Sequence, residues 1–254
     1  MASLSVDRVL TKAKSCSRRG ENEKARELFQ AVLNKFPNNK RAQKGLSALA
    51  IPFPDETTIN PSQEKIDQLI NLYNQGHLST VVDQAQKMVL KYPNAFMIWN
   101  ILGVAAAQND MNDIAAVALE TVIKLNPLFP DGYANYGNVL QAQSKLEEAI
   151  DAFNSAISLE PTNPKAFFNM GNVLKEQGKT EEAVRAYNKA ISLKPNYAKA
   201  FNNLGNALQD QGKQNEAIEA FDVAISLEPD FAEAHKNKGN ALISLGNFEV
   251  ALEA

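Results

Sequence analysis

The sequence predicts an all-α solenoid of antiparallel helix pairs that repeat every 34 residues. Three observations carry that prediction. Gly103, Gly137, Gly171, Gly205 and Gly239 stand 34 residues apart. Pro127, Pro161, Pro195 and Pro229 keep the same step, as do Ala115, Ala149, Ala183, Ala217 and Ala251. Two further rows, Leu119, Phe153, Tyr187 and Phe221 and then Ala156, Ala190 and Ala224, fall into the same register. A fixed period of this length marks a stack of supersecondary units rather than one compact core.

Each element of the unit has a local cause, and 164–197 shows them in order. Phe167, Met170, Gly171 and Leu174 lie at i, i+3, i+4 and i+7, the apolar stripe of a first helix. Gly178 supplies the left-handed residue that ends it. Gly20, Gly76, Gly212 and Gly246 share that phase, while Asp110 and Ser144 replace the glycine in two units. Glu181 and Glu182 then fall in the first turn of a second helix, where carboxylates meet the positive end of the dipole. Ala183, Val184, Tyr187, Ala190 and Ile191 form its apolar stripe, and Pro195 stops it by removing an amide and displacing its predecessor from helical geometry. Gly171 and Ala183 are expected to let the two backbones approach, with Phe167 and Tyr187 filling the wider gaps. One unit cannot bury both stripes alone, so neighbours must stack.

The register divides the chain into a 62–254 array with units 62–95, 96–129, 130–163, 164–197, 198–231 and a partial 232–254. Residues 1–50 read as a degenerate module: Gly20, Ala25, Phe29, Val32 and Pro37 keep the second half of the pattern, and Ala13 stands where the glycine belongs. A short helix is expected over 40–50 through Ala42, Leu46 and Leu49. Pro52, Pro54 and Pro61 make 51–61 a linker. The sequence stops at Ala254 inside the second helix of its last unit, without the polar capping helix that solenoid ends need. A longer parent protein is therefore expected.

These residues resemble a tetratricopeptide repeat protein. The signature is an aromatic, a Leu-Gly pair, a later Ala, a second aromatic, another Ala and a Pro. It stands here as Phe201, Leu204–Gly205, Ala217, Phe221, Ala224 and Pro229, and in part as Trp99, Leu102–Gly103 and Ala115. The resemblance implies a right-handed superhelix whose first helices line a concave surface. It also implies a site. Asn135, Asn169, Asn203 and Asn237 recur every 34 residues, with Asn138, Asn172, Asn206 and Asn240 three residues further on. Spacing of i, i+3 puts both rows on one helix face. With Lys165 and Lys199 they are the expected peptide-binding residues, similar to the ladder of O-linked N-acetylglucosamine transferase superhelices. Amides both donate and accept, which suits the backbone of an extended protein or peptide ligand. A second mode of the family, the clamp for terminal carboxylates, is matched by Asn138, Asn169 and Lys199. It lacks cations at Ala134 and Asn203.

Other chemistries find little support. Catalytic residues and metal ligands are expected to be absent: His77 falls in a turn, and His235 takes the packing place of Trp99, Phe167 and Phe201. No cofactor is implied, since Gly178-Lys179-Thr180 mimics the end of a phosphate loop without the earlier glycine or the preceding strand. Cys16 is the sole cysteine, so no intrachain disulfide can form, and a helical core position makes it inert. Residues 1–50 carry eleven Lys/Arg and four Asp/Glu. Their acids are interspersed and no aromatic platform accompanies them, which argues for a solvated face and against nucleic acid. No apolar stretch approaches a signal peptide or a membrane span, so the chain reads as cytoplasmic, with no membrane partner. The expected function is a non-catalytic protein-binding scaffold. The alternative is the recruiting region of a larger enzyme of glycosyltransferase or sulfotransferase type. The unpaired face of 232–254 offers a surface for self-association.

Overall fold

In a computed structural model of the chain the described residues are 2–18, 22–37, 39–49 and 61–246. They form fourteen α-helices in two compact units, Met1–Asn60 and Pro61–Ala254. The expected cap at Gly20, most of the linker 51–61, and Ala251 with the second helix of the last repeat lie outside the described residues.

The first unit holds α1 (Ala2–Arg18), α2 (Asn22–Lys35) and α3 (Lys40–Leu49). Leu10, Ala13 and Cys16 of α1 close over Ala25, Phe29 and Val32 of α2 and Ala42 of α3. The thiol sits in this core, fully buried. Asn39 starts α3 by accepting from the amides of Arg41 and Ala42 at 3.1 and 3.0 Å, an N-cap. An exposed Arg41–Asp7 pair at 2.6 Å ties α3 to α1.

The second unit follows the 34-residue step. Its pairs are α4 (Gln63–Asn74) with α5 (Leu78–Lys91), α6 (Phe96–Gln108) with α7 (Asn112–Leu125), and α8 (Pro130–Ala142) with α9 (Leu146–Leu159). Then come α10 (Pro164–Glu176) with α11 (Thr180–Leu193), α12 (Ala198–Asp210) with α13 (Gln214–Leu227), and α14 (Ala232–Ser244), which opens a further repeat. Within each pair the turn is closed in one way. Gly76, Gly178, Gly212 and Gly246 take φ between 75° and 79°, and Asp110 and Ser144 are held at 57° and 59°. In five of these turns the next amide bonds back to a carbonyl five residues earlier, as Lys179 does to Leu174 at 2.9 Å and Lys145 to Leu140 at 2.9 Å. This is the six-to-one bond of a Schellman cap.

The glycine row faces the aromatic row. A Cβ on Gly171 would lie 2.6 Å from the Tyr187 ring, one on Gly137 2.9 Å from Phe153, and one on Gly205 2.5 Å from Phe221. Gly103 meets Leu119 in the same way. From the sequence Gly171 is expected to face Ala183, with Tyr187 in a wider gap. Instead the ring lies directly on the glycine, and the missing Cβ is what admits it.

Stacking bends the array. The backbones of consecutive first helices approach each other closely, whereas those of consecutive second helices stay further apart among the described residues. First helices crowd and second helices splay, so the second unit curves with α4, α6, α8, α10, α12 and α14 on its concave side.

Candidate functional site

The concave faces of α8, α10, α12 and α14 carry the eight asparagines. Lys165 and Lys199 lie one turn before Asn169 and Asn203 on the same face, both exposed, with no ion pair among the described residues. The equivalent positions in the flanking repeats are Asp131 and Glu233, so at this phase cations occupy only the two middle repeats.

The two rows are not independent, because the amides interlock between repeats. Asn169 Nδ2 donates to Asn138 Oδ1 at 2.9 Å, and Asn203 Nδ2 to Asn172 Oδ1 at 2.8 Å. At the two ends the partner changes: Asn135 donates to Asn100 Oδ1 at 3.2 Å and Asn237 to Asn202 Oδ1 at 3.0 Å. The cause is the residue on the preceding first helix. Where the position 35 back is Ala134 or Phe168, the amide turns to the asparagine 31 back; Asn237 bonds Asn202 rather than Asn206, and Asn135, with Val104 31 back, bonds Asn100.

Asn100 and Asn202 are the members that sequence reasoning missed. They stand three repeats apart at one phase, but isoleucine, alanine, phenylalanine and lysine occupy that phase elsewhere, so no continuous row flags them. Asn202 is 1 % exposed, yet fully engaged: besides accepting from Asn237, it donates to Asn203 Oδ1 at 3.3 Å and to Glu233 Oε1 at 3.1 Å. A buried amide needs that satisfaction.

What the interlock leaves unused defines what the face can bind. The Oδ1 of Asn172 also accepts from the buried Tyr187 hydroxyl at 2.9 Å, so both its lone pairs are engaged and only its Nδ2 remains. Asn138 likewise keeps its Nδ2. Asn206 makes no side-chain hydrogen bond among the described residues, because Asn237 bonds Asn202 instead. Burial raises the Tyr187 phenol well above its ordinary value, keeping it a neutral donor to Asn172. Two clefts open beside these groups. One of about 290 Å³ is lined by Asn172, Lys175, Glu176, Tyr187, Asn203 and Asn206. Another of about 310 Å³ lies between α6 and α8 over α7, with Asn135 and Asn138 on its rim. Further along the helices, Gln141 donates to Glu176 at 2.9 Å and Lys175 pairs with Asp210 at 3.3 Å, so these groups link repeats as well.

The histidines fall as expected. His77 stands in the turn before α5. His235 Nε2 lies 2.9 Å from the Pro229 carbonyl, the contact that Trp99 Nε1 makes to Pro93 at 2.8 Å. No cluster of three metal-ligating side chains occurs among the described residues, and no described helix is long and apolar enough to cross a membrane.

Comparison with known proteins fixes the family. A model described as TPR repeat matches 137–178, 171–212 and 205–246, and one described as tetratricopeptide repeat matches 13–39, together just over half of the chain. The chain belongs to the tetratricopeptide repeat family. Among solved structures, MamA is 25 % identical, with a TM-score of 0.56 over 60 % of this chain and 89 % of that one. PilW, a type IV pilus biogenesis factor, is 18 % identical and reaches a TM-score of 0.70 over 76 % and 89 %. YrrB, titled a TPR protein with an unusual peptide-binding site, is 21 % identical, with a TM-score of 0.57 over 68 % and 90 %. A curated relative, the aspartyl/asparaginyl beta-hydroxylase of Mus musculus, is 25 % identical over 169 residues, which cover 56 % of this tetratricopeptide chain and 22 % of the hydroxylase. The match thus spans about a fifth of that protein.

Proposed function

We propose that this tetratricopeptide array is a non-catalytic scaffold that holds an extended segment of another protein across the amide face of α8, α10, α12 and α14. The observation that carries the reading is the residue of hydrogen-bonding capacity left on that face. Asn206 is unengaged, and Asn138 and Asn172 each present an Nδ2 after their carbonyls are occupied. Such donors address main-chain carbonyls, which every peptide has. Lys165 and Lys199 add positive charge in the two middle repeats and favour acidic segments.

A second reading has one specific support. In the hydroxylase the similar stretch is 22 % of a longer chain. Repeats of this kind would then recruit substrates or partners for a catalytic region elsewhere in a larger protein. Both readings place the ligand in the same groove, and both suit a cytoplasmic protein.

The test is titration of peptides selected from a random display library. Replacing Asn169, Asn172, Asn203 and Asn206 together with alanine removes inter-repeat bonds as well as ligand contacts, so the single Asn206→Ala variant is the cleaner companion. A neutral hydrogen bond contributes about 0.5–1.5 kcal/mol, so Asn206→Ala should weaken binding about two- to tenfold with an unchanged melting curve. The loss should be alike for peptides of different sequence and nearly independent of salt. Unchanged affinity in both variants would leave the amides as scaffold alone.

A further inference from the structure

We infer that the cleft between α6 and α8 is a selectivity pocket that takes one uncharged, apolar side chain of the bound peptide. This inference rests on the peptide-binding reading above. The amide ladder ends at α6. Where α10 presents Lys165, Asn169 and Asn172, α6 has the half-buried Met97 and Val104 with Ile101 buried between them. A peptide followed along the rungs from α12 to α8 therefore leaves a polar face and meets an apolar one, and the cleft opens at that boundary.

Its walls commit it to one kind of occupant. Val104, Ala107, Leu119, Val139 and Ala142 supply the apolar walls, Gln108 and Asn112 add uncharged amides beside Asn135 and Asn138, and no ionised side chain lines the cleft. The next concave cleft has Lys175 and Glu176, and the cleft among α9, α10 and α11 has Glu182, Arg185 and Lys189. A charged side chain entering the α6–α8 cleft would lose its water without a counter-charge, which is strongly unfavourable. At about 310 Å³ it stands near the small end of ligand pockets, which run from about 300 to 1000 Å³. That suits one aliphatic or aromatic side chain. The rim completes the fit. Asn138 keeps its Nδ2 because its carbonyl is engaged by Asn169, and Asn135 keeps its Oδ1 because its amide donates to Asn100. One donor and one acceptor a helical turn apart match the carbonyl and amide of the residue whose side chain enters.

The experiment pans a random dodecamer display library on the full chain. The selected peptides are then titrated against wild type, Ala107→Glu, Ala142→Phe and Asn206→Ala. Ala142 is exposed and Ala107 half-buried at the margin of the core, so circular dichroism checks each fold. The expected result is a shared aliphatic or aromatic position in the selected peptides. Ala107→Glu and Ala142→Phe should each weaken these by about tenfold or more, the effect of losing one buried apolar side chain. Changing the peptide's own anchor to alanine should weaken wild type by as much, and the two pocket variants little further. Peptides that respond to Asn206→Ala but show no shared apolar position, or ignore both pocket variants, would overturn the pocket and leave the groove reading standing. Recovery of no peptide, or affinities untouched by all three variants, would overturn both.

Discussion

Gly171→Ala sets two opposed effects against each other. On helix propensity alone, alanine should stabilise α10 by about 1 kcal/mol, since glycine is the poorest ordinary residue in a helix interior. Against this, the new Cβ would stand 2.6, 2.8 and 3.1 Å from three atoms of the Tyr187 ring, inside the distance real Cβ contacts keep. The ring has no easy retreat: it is fully buried, packs near Phe168 with centroids 6.0 Å apart, and its hydroxyl is held by Asn172. Overpacking of a well-filled core costs about 1–3 kcal/mol. Steric cost should therefore match or exceed the gain, for a net loss of about 0–2 kcal/mol. A double-mutant cycle isolates the cause. In a Tyr187→Ala background the clash is gone, and Gly171→Ala should become stabilising by about 0.5–1 kcal/mol. Urea unfolding followed by circular dichroism reads all four proteins. If Gly171→Ala raises the urea midpoint while Tyr187 is present, the close-approach account of the glycine row is wrong.

Two further outcomes follow from the same structure. Ser144 is held at φ 59°, which for a non-glycine residue costs about 1–2 kcal/mol; Ser144→Gly should recover part of this against glycine's greater unfolded-state entropy, raising stability by about 0.5–1 kcal/mol in the same urea assay, and a lowered midpoint would refute the strain. Burial raises the Tyr187 phenol in the folded chain above its unfolded value of 10.0, so the unfolded state gives up its proton first. The contribution is intact below about pH 10 and is lost as pH rises beyond it; wild type should lose stability more steeply there than Tyr187→Phe, and parallel curves would show that the phenol is not held neutral.

Features that recur in phase were legible in the sequence, because each is fixed within one repeat. The left-handed closures were read from glycine alone, and the same phase located Asp110 and Ser144, which do take positive φ. His235 could be placed by its register with Trp99, although the shared bond to a proline carbonyl needed coordinates. Facing was harder. Gly171 and Tyr187 each belong to a visible row, but phase along the chain says nothing about which row lies opposite. The amide partners were least legible. Whether Asn169 reaches Asn138 or Asn237 reaches Asn202 depends on residues in the preceding repeat, so the choice is absent from any single unit.

The interlock also explains why asparagine, rather than lysine or aspartate, fits this face. One amide carries both a donor and an acceptor, so it can bond the neighbouring repeat with one end and keep the other for a ligand. A lysine or a carboxylate offers only one kind of group, and pairing consumes the charge with it, as Lys175 and Asp210 show further along the helices. Neutrality matters equally at Asn202. That side chain is almost wholly buried and satisfied by Asn203, Glu233 and Asn237, whereas an ionised group there would lose its hydration for bonds of the same number. Scaffold and site therefore place the same demand on residue type. The amides that fix the spacing of first helices are those that would meet a peptide, so ligand contacts in one repeat would bear directly on the bond to the next. Tyr187 extends this link into the core, since the hydroxyl that binds Asn172 belongs to the ring packed on Gly171.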